Sequence, residues 1–150
     1  MTTISFTAVP TALAALTIAG VQVKDIDKIP SGGLEMLCPI LFPDPGGWLS
    51  GVNIVRESMG IGGTGQYDLN FSLNYVYLHS PAGGNISDFD NFNAMITNVG
   101  RICTVIANND TMGSVADVTL ENVSEPGFIE APDGGIFHGL RITLRVLQFV

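Results

Sequence analysis

SDFDNFNAMITNVGRICTVIAN, residues 87–108, sets the frame in which the rest of the chain is read. Its apolar side chains are Phe89, Phe92, Met95, Ile96, Val99, Ile102, Cys103 and Ile106, and they recur at i, i+3, i+4 and i+7. That spacing gathers them on one stripe of an α-helix. Asn91, Asn93, Thr97, Asn98, Arg101 and Thr104 fall on the other face. Ser87 stands where an N-cap oxygen is needed, and Asp90 can return the bond in the manner of a capping box. Asp88 and Asp90 also lie near the positive end of the helix dipole. Asn108-Asn109 provides a stop. Most of the remaining chain alternates with period two, so this helix is expected to cover one face of a β-sheet.

The flanking segments supply that sheet. Residues 67–79 read as the longest strand, with Tyr67, Leu69, Phe71, Leu73, Tyr75 and Tyr77 on one face. Asp68, Asn70, Ser72 and Asn74 lie on the other until Val76 and Leu78 break the polar run, the pattern of half-buried antiparallel sheet. Before it, residues 49–57 form a strand that leads into the glycine-rich tip Met59-Gly-Ile-Gly-Gly-Thr-Gly65. After the helix, residues 115–123 read as a strand, and 124–135 as a Pro/Gly/acidic segment around Phe128-Ile129, a candidate hairpin arm. Residues 138–150 close the chain, with Leu140, Ile142, Leu144 and Val146 inward and Arg141, Thr143 and Arg145 outward. Towards the N-terminus, residues 10–19 predict a helix opened by Pro10 and stopped by Gly20, with Val9, Leu13, Leu16 and Ile18 inward. Residues 21–26 read as a short strand or an extended connector. Residues 34–42 read as a strand with Leu34, Met36, Cys38, Ile40 and Phe42 on one side, and Pro39 marks it as an edge or a bulge. Helices and strands do not alternate as βαβ units. The expected class is therefore α+β: a mostly antiparallel β-sheet with two helices packed on one face and a long protruding β-hairpin. One domain spans 1–150, with an N-terminal arm at 1–8, a hairpin tip at 59–66 and an acidic loop arm at 124–135.

Composition narrows the function. Charged residues make up only 13% of the 150 residues, about half the usual ~25%. A solvated monomer normally keeps more charge outside, so much of this surface is expected to meet other subunits; the alternative is a neutral surface rich in Asn, Thr and Ser. The net charge is −8, and the six basic residues are scattered. Direct nucleic-acid binding needs clustered Lys and Arg and is not expected. A ring of such acidic subunits would instead have a negative lumen through which DNA slides without sticking. Cys38 and Cys103 read as small buried hydrophobes. Their spacing does not settle a disulfide, and free thiols in a reducing cytoplasm are the expectation. The first ten residues contain no Lys or Arg, so no secretory signal is expected, and no apolar run is long enough for a membrane span.

The motif search finds no reaction chemistry. Gly60-Ile-Gly-Gly-Thr-Gly65 matches G-x-G-x-x-G, but a dinucleotide site needs a helix after it, and here a strand pattern follows. Gln66 stands where a P-loop needs Lys. His79 and His138 have no metal-ligating neighbours in sequence, and no G-x-S-x-G elbow occurs. Asp110, Asp117, Glu121, Glu125, Glu130 and Asp133 lack calcium-loop spacing and read as a solvated or lumen-facing surface. No catalytic residue, cofactor or metal is therefore expected. Trp48, Phe128 and Phe137 lie beside Gly/Pro turns, where aromatics either anchor interfaces or plug the core.

The layout resembles the tail terminator (tail-tube capping) proteins of long-tailed bacteriophages with noncontractile tails. The likeness lies in a helix ending at Gly20, the Val23-Lys24-Asp25-Ile26 connector and the 34–43 strand with its prolines. It continues through the glycine-tipped hairpin, the amphipathic helix 89–107 and the closing Leu144-Arg-Val-Leu-Gln-Phe-Val150. The short Ala/Thr-rich first helix and the acidic 124–135 segment depart from the pattern. The resemblance implies a virion protein that forms a ring, usually a hexamer, stops tube growth and joins the tail to the head connector. Its partners would be its own copies and the adjacent tube and connector proteins, with no membrane. Trp48, Gly60, Gly62, Gly63, Gly65, Phe128, Ile129 and Phe137 are the candidate contact residues. The alternatives are another neck or tail-tube subunit, or, from a different class, a soluble bacterial binding domain or small hydrolase using the glycine loop.

Overall fold

The computed structural model describes residues 4–57, 66–82 and 88–150. Two long strands carry the architecture. β4 (Gln66–Pro81) and β7 (Ile136–Phe149) pair antiparallel from Asp68↔Phe149 to Pro81↔Phe137. Shorter strands divide their outer edges between them. β2 (Ile40–Pro43) and β3 (Leu49–Glu57) line β4, while β5 (Asp117–Val123) and β6 (Gly127–Glu130) line β7. β1 (Gln22–Val23) adds to β2 in the only parallel pairing among the described strands. The sheet has seven strands in the order β1-β2-β4-β7-β5, with β3 attached to β4 and β6 to β7.

The side-chain period fixes which face is covered. Leu69, Phe71, Leu73, Tyr75 and Tyr77 of β4, with Leu140, Ile142, Leu144 and Val146 of β7, form one buried layer. Against it lie Val9 and Leu13 of α1 (Ala8–Ala14) and Met95, Val99, Ile102 and Ile106 of α2 (Asp88–Asn108). Both helices thus cover the same face of a mostly antiparallel sheet, the α+β arrangement the pattern implied. Val76 and Leu78 point to the opposite face, where Leu34, Ile40, Phe42, Ile129, Ala131 and Phe137 enclose them in a second, smaller core. The break in polar alternation at Val76 and Leu78 marks this local two-sided burial. The rest of that face is polar and cross-linked. Thr143 Oγ1 donates to Asn74 Oδ1 (3.1 Å), Arg145 Nη1 to Ser72 Oγ (3.2 Å) and Ser72 Oγ to Glu121 Oε2 (3.2 Å).

Several segments differ from their sequence reading. The first helix ends at Ala14, because Ile18 and Val21 bridge across a tight turn in which Gly20 takes φ +77°. Residues 34–42 are not one strand. Leu34–Met36 is a 3-10 turn entered through Gly33 at φ +66°, and β2 begins only after the cis Cys38–Pro39 bond. The turn buries Leu34 completely and leaves Met36 85% exposed, so alternation fails there. In α2 the buried stripe is narrower than the apolar one. Phe92 and Ile96 are exposed, and Asn98, read as polar-face, is buried. Of the N-terminal arm only residues 4–8 are described, and there Phe6 packs edge-on to Phe71 at 5.3 Å. Within the acidic 124–135 segment, β6 and the start of β7 form a hairpin, pairing from Gly127↔Gly139 to Glu130↔Ile136. β3 and β4 pair from Leu49↔Leu73 to Glu57↔Gln66, as a hairpin requires. The glycine tip between them and the Ser87 cap lie outside the described residues.

Candidate interaction edge and polar corner

Among the described residues, β3 carries the longest exposed run of regular structure, Ser50 to Arg56. It pairs with β4 on one side, and among the described residues no strand pairs with its other side. An unpaired edge presents a row of backbone N–H and C=O groups to any incoming strand. Val52, Ile54 and Val55 are 43%, 45% and 47% exposed. They belong to the run Val52-Asn-Ile-Val55, which holds β-branched residues on both faces and no charge before Arg56. Native edges are usually blunted by charge or proline. Here a bulge between Ser50 and Asn53, with Gly51 at φ +61°, is the visible device. Sequence reasoning had placed this strand but not its exposure. The available signal was the two-sided apolar run beside a glycine-rich tip.

The candidate contact residues scatter. Gly60, Gly62, Gly63 and Gly65 lie outside the described residues. Trp48 is half-buried against the main core, and its carbonyl accepts the Asn74 N–H at 2.8 Å. Phe128 is 72% exposed. Ile129 and Phe137 are not surface residues at all. They are 6% and 3% exposed, paired across β6 and β7, and sealed in the second core. A side chain enclosed by its own chain offers nothing to a partner. Of the even choice between anchor and plug, Phe137 is a plug.

At the far end of the sheet the two histidines meet. A bulge between Leu78 and Ser80 leaves His79 out of register beside His138, the partner of Ser80. The Phe128 ring tilts over His138 at 5.0 Å. A hydrogen-bond chain reaches His79 from α2. Arg101 Nη1 donates to Asn98 Oδ1 (3.1 Å), and Asn98 Nδ2 donates to Tyr77 Oη (3.1 Å). Tyr77 Oη and His79 Nδ1 share a hydrogen bond at 2.7 Å. Burial, reinforced by the approach of His138, lowers the His79 pKa below the ordinary value of 6.5 and favours the neutral imidazole. Burial pushes the Tyr77 hydroxyl up to about 12 although the Asn98 bond pulls it down. The chain explains why Asn98 is buried: its amide is satisfied between the Tyr77 hydroxyl and the Arg101 guanidinium.

This corner binds α2 to the sheet. The donors and acceptors of the chain include no carboxylate, and no group of three or more metal-ligating side chains occurs among the described residues. The glycine motif at 60–65 is followed by the sixteen-residue strand β4, not by the helix a dinucleotide or phosphate site requires. Among the described residues, no helix is long and apolar enough to cross a membrane. Cys38 and Cys103 are free thiols, half-buried in different cores. Burial and the Asp133 charge push Cys38 up to about 11, and burial raises Cys103. Neither is a ready nucleophile. No protein-family model and no curated protein matches this sequence.

Proposed function

We propose that this chain is a structural subunit of a bacteriophage tail or neck, a tail terminator whose copies close into a ring that caps the tail tube and joins it to the head connector. The observation that carries the reading is the open β3 edge with Val52, Ile54 and Val55 in solvent. Covering the exposed part of each of these side chains contributes roughly 1 kcal/mol, and strand addition along the edge supplies main-chain hydrogen bonds. The low charge fraction of 13% fits a surface that spends its life against other subunits. The net charge of −8 fits a lumen that lets DNA pass. The resemblance of the sequence layout to terminator proteins suggests the specific role, the virion location and the expected partners.

Two variants test it. Ile54→Lys places a charge on the exposed edge. Deletion of residues 60–65 removes the tip proposed to reach the adjacent ring. Both should fold like the wild type by circular dichroism. Ile54→Lys should lower the oligomer to monomer, and the deletion should block assembly onto tubes. Correct assembly by both variants would refute the reading, as would a deletion variant that cannot fold.

A further inference from the structure

A cleft of about 280 Å³ opens where β5 begins, between the turn after α2 and the end of β7. The ladder between β5 and β7 starts at Asp117↔Leu147. Two residues further along β7, the pairing has stopped. Val150 exchanges both backbone bonds with Tyr67 of β4. Bonding alternates along an antiparallel strand, so Phe149 turns its N–H and C=O the other way, to the β5 side. The residue due opposite it is Val115, and Val115 has left the row. Its N–H bonds the Thr111 carbonyl (3.0 Å), and its own carbonyl accepts Gln148 Nε2 (3.4 Å). Met112, Gly113 and Ser114, at φ of 46°, 70° and 70°, turn the chain off this line. Two of the three are not glycine, and such strain collects at ligand clamps. Phe149 thus lines the cleft with an open rung of one donor and one acceptor. Gln148 lines it as well, and is only 5% exposed. Its Oε1 is buried with no hydrogen-bond partner. A buried amide oxygen in that state calls for an N–H donor.

We infer that this cleft binds an extended segment of a different protein, with Lys or Arg at the residue that pairs with Phe149. By register, the Asp117 and Phe149 side chains stand on the polar face of the sheet and that of Gln148 on the helix-covered face. A ligand lying in the plane of the sheet meets both faces, as a strand does. A lone ammonium or guanidinium would leave the Phe149 N–H unpaired. A lone anion would leave the Phe149 carbonyl and Gln148 Oε1 unpaired beside the Asp117 carboxylate. A peptide supplies donor and acceptor at the spacing of a rung. The residue facing Phe149 sets its side chain on the Asp117 face, beside an aromatic ring that is 56% exposed. A basic side chain suits both neighbours. The described residues of a second copy do not supply such a segment, because all six basic residues are held in its own structure. Arg101 is in α2, Arg141 and Arg145 are in β7, Lys28 is in a 3-10 turn, and the Lys24 N–H bonds the Leu41 carbonyl. Arg56 is in β3 in the row of Tyr67, on the helix-covered face and not that of Asp117. The site does not depend on the ring.

NMR titration of the nitrogen-15-labelled 150-residue chain with acetyl-Val-Arg-Val-amide tests it. The Phe149 backbone amide and the Gln148 side-chain amide should shift saturably, with half-saturation on the order of a millimolar. The same peptide methylated at every backbone nitrogen should bind at least tenfold more weakly, and so should acetyl-Val-Glu-Val-amide. Asp117→Lys, at an exposed position, should reverse the preference between the Arg and Glu peptides. No saturable shift at Phe149 up to about 10 mM peptide, or equal binding of the methylated peptide, overturns the site. Equal binding of the Arg and Glu peptides overturns the basic residue. A Phe149 shift that grows with protein concentration in the absence of peptide overturns the assignment to a different protein and gives the cleft to a second copy.

Discussion

Replacing Gly139 by alanine should destabilise the protein by about 3 kcal/mol, and the reason lies in the backbone of the neighbouring strand. Gly139 is buried in β7 opposite Leu78, at the edge of the bulge that sets His79 beside His138. A Cβ there would drive into the Tyr77 carbonyl oxygen, with the Tyr77 carbonyl carbon at 3.2 Å and Leu78 Cα at 3.3 Å. Overpacking a core costs roughly 1–3 kcal/mol when side chains can move aside. Here the obstacle is main chain held by the central ladder, so the cost belongs at the upper end. In a domain of this size each kcal/mol moves the melting midpoint by about 2–4 °C, giving a drop of about 6–12 °C by circular dichroism. Gly100→Ala is the matched control. Gly100 lies in α2 with nothing within 4 Å of an added Cβ, so the same methyl should stabilise by about 0.5–1 kcal/mol. A Gly139→Ala protein that melts within about 1 °C of wild type would refute the reasoning.

Other outcomes follow from the same packing and electrostatics. Ile102→Ala removes a fully buried side chain at the contact between α2 and the sheet and should cost about 3–4 kcal/mol in urea unfolding; a loss below about 1 kcal/mol would mean that α2 is not seated there. The native pKa of His79 lies below its ordinary 6.5, so the unfolded chain binds more protons just below that value. Stability is then full above 6.5 and falls as pH drops towards the native pKa. Thermal midpoints should decline from pH 7.5 to 5.5, and His79→Gln should flatten that decline; an unchanged slope would remove His79 as its source. Cys38 and Cys103 are half-buried with raised pKa values, so at pH 8 a disulfide reagent should label the native protein at least tenfold more slowly than the protein in urea. Equal rates would contradict their burial.

The sequence made the α+β class legible because two periods dominate it. Leu69 to Tyr77 at alternate positions and Met95 to Ile106 at helical spacing are the same residues that meet in the main core. What escaped was context that a period cannot carry. Asn98 reads as a surface residue, and only the Tyr77 hydroxyl across the interface explains its burial. Phe92 and Ile96 fit the apolar stripe, yet both remain in solvent. Leu34 and Cys38 look like alternating strand positions, but Gly33 turns the backbone left-handed and Cys38 N bonds back to the Leu34 carbonyl. Pro, Gly and acidic residues around Phe128-Ile129 mark the 124–135 hairpin, but not which member of the pair is buried: Ile129 enters the second core and Phe128 lies against His138. Of the contact residues chosen by turn proximity, Ile129 and Phe137 went inward, while the exposed β3 run went unnoticed, since a short apolar strand reads the same at an edge as in a core.

The ring proposed for this chain is tested most directly by how many copies hold together in solution. Native mass spectrometry of the 150-residue chain at micromolar concentration, with the same sample imaged by electron microscopy, should give one closed oligomer seen as an annulus with an open centre. A single-subunit mass that persists as concentration rises, with no annular particles, would contradict it.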